Sequence, residues 1–425
     1  MKTVGAIGVG AVIALLSAPL NAIATLIESQ ETESVSVQFK LQPQSNTFLR
    51  AGANEYELGH YADAEKPLQS PDELAIRQND QVAGGPSLGY SELRNAGRAE
   101  YLAGHLASAE TLFRAARDSA VRAADDEALA TIDNDLGDVY IGEERLDDAE
   151  QAYARSLRLF KSMGSREFEV AVTLRNLGSA YSLHQRHNNA LKVLDEAGKL
   201  PFWTSGGDRN TQALAAELAN TKGIVLFREN SLRKARDRFE EALRIRRDAG
   251  LGGGIGDAGT LNNIAMIDVK QGRYAEAEVP LLRSIEITSG ALGSSHPELT
   301  LTLATLGEVY TRLGRYTEAK EQYQRSLSIL WTMSPRLDGR VARTLELVSG
   351  MYLKQGDKTA AESAFAKAID FARRVKVEED PGLSDMFDRY AALLRRLGKP
   401  EQARDVHAEA QRIRVEATLT VRISQ

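Results

Sequence analysis

Few side chains in this sequence are spaced so that they could do chemistry. Gly254, Gly256 and Gly259 satisfy G-x-G-x-x-G, the spacing that lets a backbone turn hold a pyrophosphate. That fingerprint needs a preceding strand, none is legible here, and GLGGGIGDAG is expected to be a flexible loop between repeats. His184 and His187 stand three apart, which would put two imidazoles on one helical face. No third ligand lies nearby, so surface histidines are expected rather than a metal site. The carboxylate pairs Asp125 and Asp126, Asp147 and Asp148, and Glu378 and Glu379 fall at helix ends or connections, where solvated charge is the ordinary outcome. The chain contains no cysteine, which removes disulfides, thiolate metal sites and thiol nucleophiles. A non-enzymatic protein without metal or cofactor is the expectation.

What remains is recognition chemistry. Asparagines recur as Asn95, Asn134, Asn176, Asn220, Asn262 and Asn263, at or next to one site in consecutive segments. An amide both donates and accepts, so a row of amides can hydrogen-bond the main chain of an extended peptide whatever its side chains. It can equally bond between neighbouring helices. Cations recur as Arg228, Lys270, Arg312, Lys354 and Arg396, 42 residues apart each time. Aligned, they would attract a carboxylate-rich partner, although a cation at a helix C-terminus is also favoured by the macrodipole. Arg98 sits one residue past the small position described next.

The elements that must position these rows follow from self-similarity. Alanines stand at Ala235, Ala277, Ala319, Ala361 and Ala403, again 42 apart, and continue less evenly back through Ala190, Ala149, Ala109 and Ala64. Twelve residues before each alanine is a small residue: Gly52, Gly97, Gly137, Gly178, Gly223, Ala265, Gly307, Ser349 and Ala391. Glycine inside a helix costs about 1 kcal/mol relative to alanine, so close packing must require it. Apolar residues at i, i+3 and i+4, such as Leu303, Leu306 and Tyr310 followed by Tyr316, Ala319, Tyr323 and Leu327, describe two amphipathic helices per unit. Gly59, Gly104, Asn230, Gly272, Gly314, Gly356 and Gly398 punctuate the pair, as residues that accept the left-handed conformation ending a helix. The count is about nine units within residues 46–416.

This set of a small residue, an aromatic, a glycine turn and an alanine resembles the tetratricopeptide repeat, in the longer variety of kinesin light chains. TLNNIAMIDVKQGRYAEAEVPLLRSIEI and the segment LGSSHPELTLTLATLGEVYTRLGRYTEAKEQYQRSLSIL carry the likeness, with His296 and Pro297 in the connecting loop. The resemblance implies an all-α, right-handed superhelical solenoid of antiparallel helix pairs whose concave groove binds a protein or peptide. Asparagines serve such grooves in the kinesin type. A carboxylate clamp for chaperone C-termini would need asparagine after the small residue, and Ala53, Arg98, Asp138, Ser179, Ile224, Met266, Glu308, Gly350 and Ala392 do not provide it.

The ends read differently. Residues 1–24 have the apolar run and the A-x-A site at Ala22 and Ala24 expected of a secretory signal, or of a membrane anchor if uncleaved. Residues 25–45 form a polar leader with Val35, Val37, Phe39 and Leu41 in alternation, and residues 417–425 a tail that alternates Leu419, Val421 and Ile423. With 53 basic and 59 acidic residues the net charge is -6, which lacks the footprint of a nucleic-acid binder. The expectation is an exported scaffold of a bacterial periplasm, envelope or medium. Its rival is a structural envelope protein that self-associates through its end repeats.

Overall fold

The period of 42 becomes helix pairs. The computed structural model describes residues 89–423, apart from 103–104, 144, 202, 204–207, 334–338 and 374–382. The signal, leader and first repeat lie outside the described residues, as do Glu378 and Glu379. The described helices are all α, with no strand among them: α1 (Tyr90–Leu102), α2 (Leu106–Ala123), α3 (Asp126–Gly142), α4 (Leu146–Met163), α5 (Glu167–Leu183), α6 (His187–Ala197), α7 (Arg209–Arg228), α8 (Leu232–Asp248), α9 (Ile255–Lys270), α10 (Tyr274–Leu292), α11 (Leu299–Arg312), α12 (Tyr316–Met333), α13 (Gly339–Gln355), α14 (Lys358–Ala372), α15 (Leu383–Arg396) and α16 (Pro400–Ile423). The class is that of the tetratricopeptide-like helical solenoid. The helices fall into two compact units, one ending at Ile267 and one beginning at Asp268, so that the division lies inside α9.

Where the small residue of the first helix is glycine, it lies under a bulky residue of the second. A Cβ on Gly137 would stand 2.4 Å from the Tyr153 ring, one on Gly223 2.5 Å from Phe239, and one on Gly97 2.8 Å from Phe113. In the second unit, Gly307 and Tyr323 repeat the arrangement at 2.6 Å. Close approach is the reason these helical glycines exist, as their cost requires. The repeated alanines Ala109, Ala149, Ala190, Ala235, Ala277, Ala319, Ala361 and Ala403 are all fully buried.

The turns between paired helices have left-handed backbone at Asn230, Gly272, Gly314, Gly356 and Gly398, as expected, and also at Gln185, where no glycine marks it. The next residue's N–H bonds back to close the helix, as Arg315 does to the Tyr310 carbonyl at 2.9 Å. Neighbouring pairs are clasped near these turns. Arg145 donates to Glu110 at 3.0 Å, Arg186 to Glu150 at 2.8 Å, Arg315 to Glu278 at 2.7 Å and Lys399 to Glu362 at 2.5 Å. In every case the cation precedes a second helix by one residue, and the acid follows the buried alanine of the preceding second helix.

Three expectations change. Helix α9 begins at Ile255, so Gly256 and Gly259 are helical and only the residues through Gly254 are loop; the Asp257 carboxylate accepts the Gly253 N–H at 2.7 Å and starts the helix. His184 follows α5 while His187 opens α6, so a helix break separates the two imidazoles. Helix α16 continues to Ile423, placing Leu419, Val421 and Ile423 in helical backbone where a tail after residue 416 was expected. No described helix is long and apolar enough to cross a membrane.

A candidate binding face on the first helices

In the unit ending at Ile267, the first helices α1, α3, α5, α7 and α9 carry the asparagines. Asn95 is exposed, Asn134, Asn220, Asn262 and Asn263 are half-buried, and Asn176 is buried. They meet in pairs. Asn176 Nδ2 donates to Asn134 Oδ1 at 3.4 Å, and Asn263 Nδ2 donates to Asn220 Oδ1 at 3.3 Å. Asn95 and Asn262 join neither pair; Asn262 Oδ1 is buried without a partner among the described residues. The pairing has a register. The residue three before the small position in one repeat bonds to the residue two before it in the next. Arg94 and Asp135, at 2.5 Å, obey the same rule, as do Glu346 and Arg389 in the other unit.

Between the amide pairs lies a buried ionic group that the sequence reading did not single out. Arg175 donates to Asn176 Oδ1 at 2.6 Å and faces Glu217 at 3.5 Å, while Arg246 reaches in from the second helix α8. Its guanidinium donates to Glu217 at 2.6 Å and to the Thr260 hydroxyl at 3.0 Å, and only 1% of Arg246 is exposed. Thr260 in turn reaches Asn220 Oδ1 at 3.2 Å. A signal for Arg246 exists in the repeat. Eleven residues after the buried alanine, other units place Ala120, Phe160, Pro201, Thr288, Leu330, Ala372 and, in the last repeat, Arg414. Arg414 is exposed, whereas Arg246 is the charge that this column buries.

The five cations are exposed, and each lies in the last turn of its first helix. Arg228 belongs to one unit and Lys270, Arg312, Lys354 and Arg396 to the other. Arg312 pairs with Glu308 at 3.2 Å and lies over the Tyr274 ring. Position at the helix C-terminus accounts for these charges locally. Arg98 is half-buried on α1.

Elsewhere the polar groups serve the scaffold. Asp125 caps α3 by accepting the Ala128 N–H at 2.9 Å and also takes the Tyr90 hydroxyl at 2.6 Å; these bonds hold its carboxyl below the usual range. Burial, together with Asp138, pushes the Tyr153 hydroxyl well up, and that hydroxyl donates to Asp138 at 2.6 Å. His184 bonds Glu150 at 2.6 Å. Two serines stand at spacings known from nucleophilic catalysis. Gly85, Ser87 and Gly89 match G-x-S-x-G, and Ser231 with Lys234 matches S-x-x-K. The first lies at residues mostly outside those described. In the second, the Ser231 hydroxyl turns to Glu229 at 3.3 Å, without a histidine.

Comparison with known proteins supplies the rest. A tetratricopeptide repeat model matches residues 128–197 and 256–330. A comparison with curated proteins finds no match. Among solved structures, the chain is similar to a Rap protein complexed with competence and sporulation factor, at 14% identity and a TM-score of 0.56, covering 86% of this chain and 99% of that one. It is similar to the Rap conjugation gene regulator of plasmid pLS20 in complex with the Phr* peptide, at 14% identity and a TM-score of 0.54, covering 88% and 97%. Aspartyl phosphate phosphatase F from Bacillus subtilis matches at 13% identity and a TM-score of 0.52, covering 87% and 95%. At these identities the likeness is one of fold.

Proposed function

We propose that this chain is a non-enzymatic scaffold that holds an extended peptide or protein segment along its first helices. One observation carries the reading. Each amide pair spends one donor and one acceptor on itself and leaves others over. Asn134 Nδ2, Asn220 Nδ2 and Asn263 Oδ1 have no partner among the described residues. A peptide main chain supplies the complementary carbonyls and N–H groups. The mutual bonds of the asparagines pre-orient these side chains, which lowers the entropy lost when a partner binds.

Two solved neighbours of the same fold were captured with a competence and sporulation factor and with the Phr* peptide, which fits a peptide-holding role. The phosphatase name of another shows that the fold is not tied to one activity. The non-enzymatic part of the proposal rests on the sequence, in which the G-x-S-x-G and S-x-x-K spacings stand without a recognisable set of catalytic partners. Export rests on residues 1–24 alone, and an acidic partner on the cation row alone.

Capture of a partner from native envelope extract tests this reading, using the full chain against a variant with Asn95→Ala and Asn263→Ala. Both positions tolerate truncation, one being exposed and the other spending a single bond. The variant should keep its helical circular dichroism and lose capture. Equal capture by the two proteins would remove the asparagines from the site.

A further inference from the structure

A second group of charges has no place in this account. Four residues before the small position, the units place Leu93, Leu174, Ala219, Leu261, Leu303, Leu345 and Phe387, and one of them places Asp133. Eight residues after the buried alanine stand Leu157, Leu243, Ile285, Leu327 and Ile369, with Gly198 and Gln411 in two further units, and in one unit Arg117. Two core columns are thus broken by opposite charges, and the two breaks touch. Arg117 Nε donates to Asp133 Oδ1 at 2.9 Å.

Arg155, from α4, donates its Nε to the same oxygen at 3.1 Å. The two Nε atoms therefore lie within about 6 Å of each other, by that shared oxygen. Asp133 is fully buried and its Oδ2 has no partner among the described residues, whereas Arg117 and Arg155 are each about one-third exposed. Neither arginine has any other partner among the described residues. The group carries one positive charge in excess, with unspent N–H groups at the surface.

Stability does not account for it. A buried ion pair adds little over well-packed apolar side chains, and leucine already fills the Asp133 column in α1 and α5. A function for the exposed N–H groups does account for it. We propose that Arg117 and Arg155, held in place by Asp133, form a receptor for a tetrahedral oxyanion, either free phosphate or a phosphoryl group on a partner. A planar carboxylate matches one guanidinium fork edge-on, whereas two guanidinia, brought from α2 and α4 onto one Asp133 oxygen, offer donors to an anion with oxygens in several directions. Asp133 is the positioning residue and does not itself touch the anion.

The test follows the arginine Nε–H resonances of the full chain during titration with inorganic phosphate, acetate and an N-acetyl phosphoserine amide at constant ionic strength. Phosphate or the phosphoserine amide should produce saturable shifts of two Nε–H signals, with acetate weaker; the tighter of the two phosphoryl probes identifies the source. Arg117→Gln and Arg155→Gln should each weaken binding about tenfold or more. Asp133→Leu restores the repeat's own residue, so it should fold with unchanged helicity yet also lose about tenfold in affinity. No saturable shift in the wild type, or equal shifts in the arginine variants, would overturn the receptor. Undiminished binding in a folded Asp133→Leu protein would overturn the positioning role.

Discussion

The side-chain amide of Asn263 donates to that of Asn220 across 3.3 Å, joining the first helices of adjacent repeats, and Asn176 does the same to Asn134 at 3.4 Å. Two readings of these asparagines, as bonds within the scaffold and as contacts for a ligand, thereby become one arrangement. The bond within the scaffold orients the groups that remain. Asn176, however, also takes the Arg175 guanidinium, so Asn176→Ala should destabilise the fold by about 1–3 kcal/mol, through the unpaired buried donor. Urea unfolding of that variant beside Asn95→Ala, which should be neutral, separates the structural asparagine from the exposed one.

The packing glycines should not tolerate a methyl group. Gly137→Ala and Gly223→Ala drive a Cβ into Tyr153 and Phe239 and should each cost about 1–3 kcal/mol. Gly259, within α9, has nothing within 4 Å of its would-be Cβ, so Gly259→Ala should gain up to about 1 kcal/mol from helix propensity. Melting temperatures of the three variants should therefore shift in opposite directions.

Arg246 should be among the least replaceable side chains. Arg246→Ala removes the nearer of the two arginines on the half-buried Glu217, at 2.6 Å, and leaves Arg175 at 3.5 Å; it should cost up to about 3–5 kcal/mol. Adding Glu217→Gln should deepen the loss, because the buried Arg175 then loses this carboxylate. A double variant at least as stable as Arg246→Ala would show that the Arg175–Glu217 contact contributes nothing.

Acid should reveal the α3 cap. The Ala128 N–H and the Tyr90 hydroxyl hold the Asp125 carboxyl below its unfolded value, so this group's contribution is complete above about pH 4 and is lost as pH falls through the depressed value. Asp125→Ala should lower stability by about 1 kcal/mol at pH 7. Unfolding followed at pH 7 and at pH 2.5 should show the gap between wild type and variant narrowing in acid.

Much of this was legible in the residues. The period of 42 located the helices, and the small residue twelve before each alanine, glycine in most units, implied a close approach before Tyr153 or Phe239 could be seen against it. The left-handed turn at Gln185 was not legible, because the surrounding pair imposes a conformation that glutamine does not prefer. The asparagines were read as a row at or next to one site; which of the two neighbouring places bonds to which across the repeats emerges only in the structure. Sequence spacing carries no information about the rotation between successive repeats that decides it. Arg246, Arg117 and Asp133 were legible in principle, as charges in apolar columns. Residues 417–423 read as a tail, yet the helix of the last repeat continues through Leu419, Val421 and Ile423.

Site-specific photo-crosslinking in the native host tests the central claim most directly. A photoreactive residue would replace Asn95 or the half-exposed Leu301, both on first helices, and in parallel Arg158 or Val279, both exposed on second helices. The account predicts adducts from Asn95 and Leu301, with a mass that is not a multiple of this chain's own, and none from Arg158 or Val279. Adducts confined to the second helices, or only multiples of the chain itself, would contradict it.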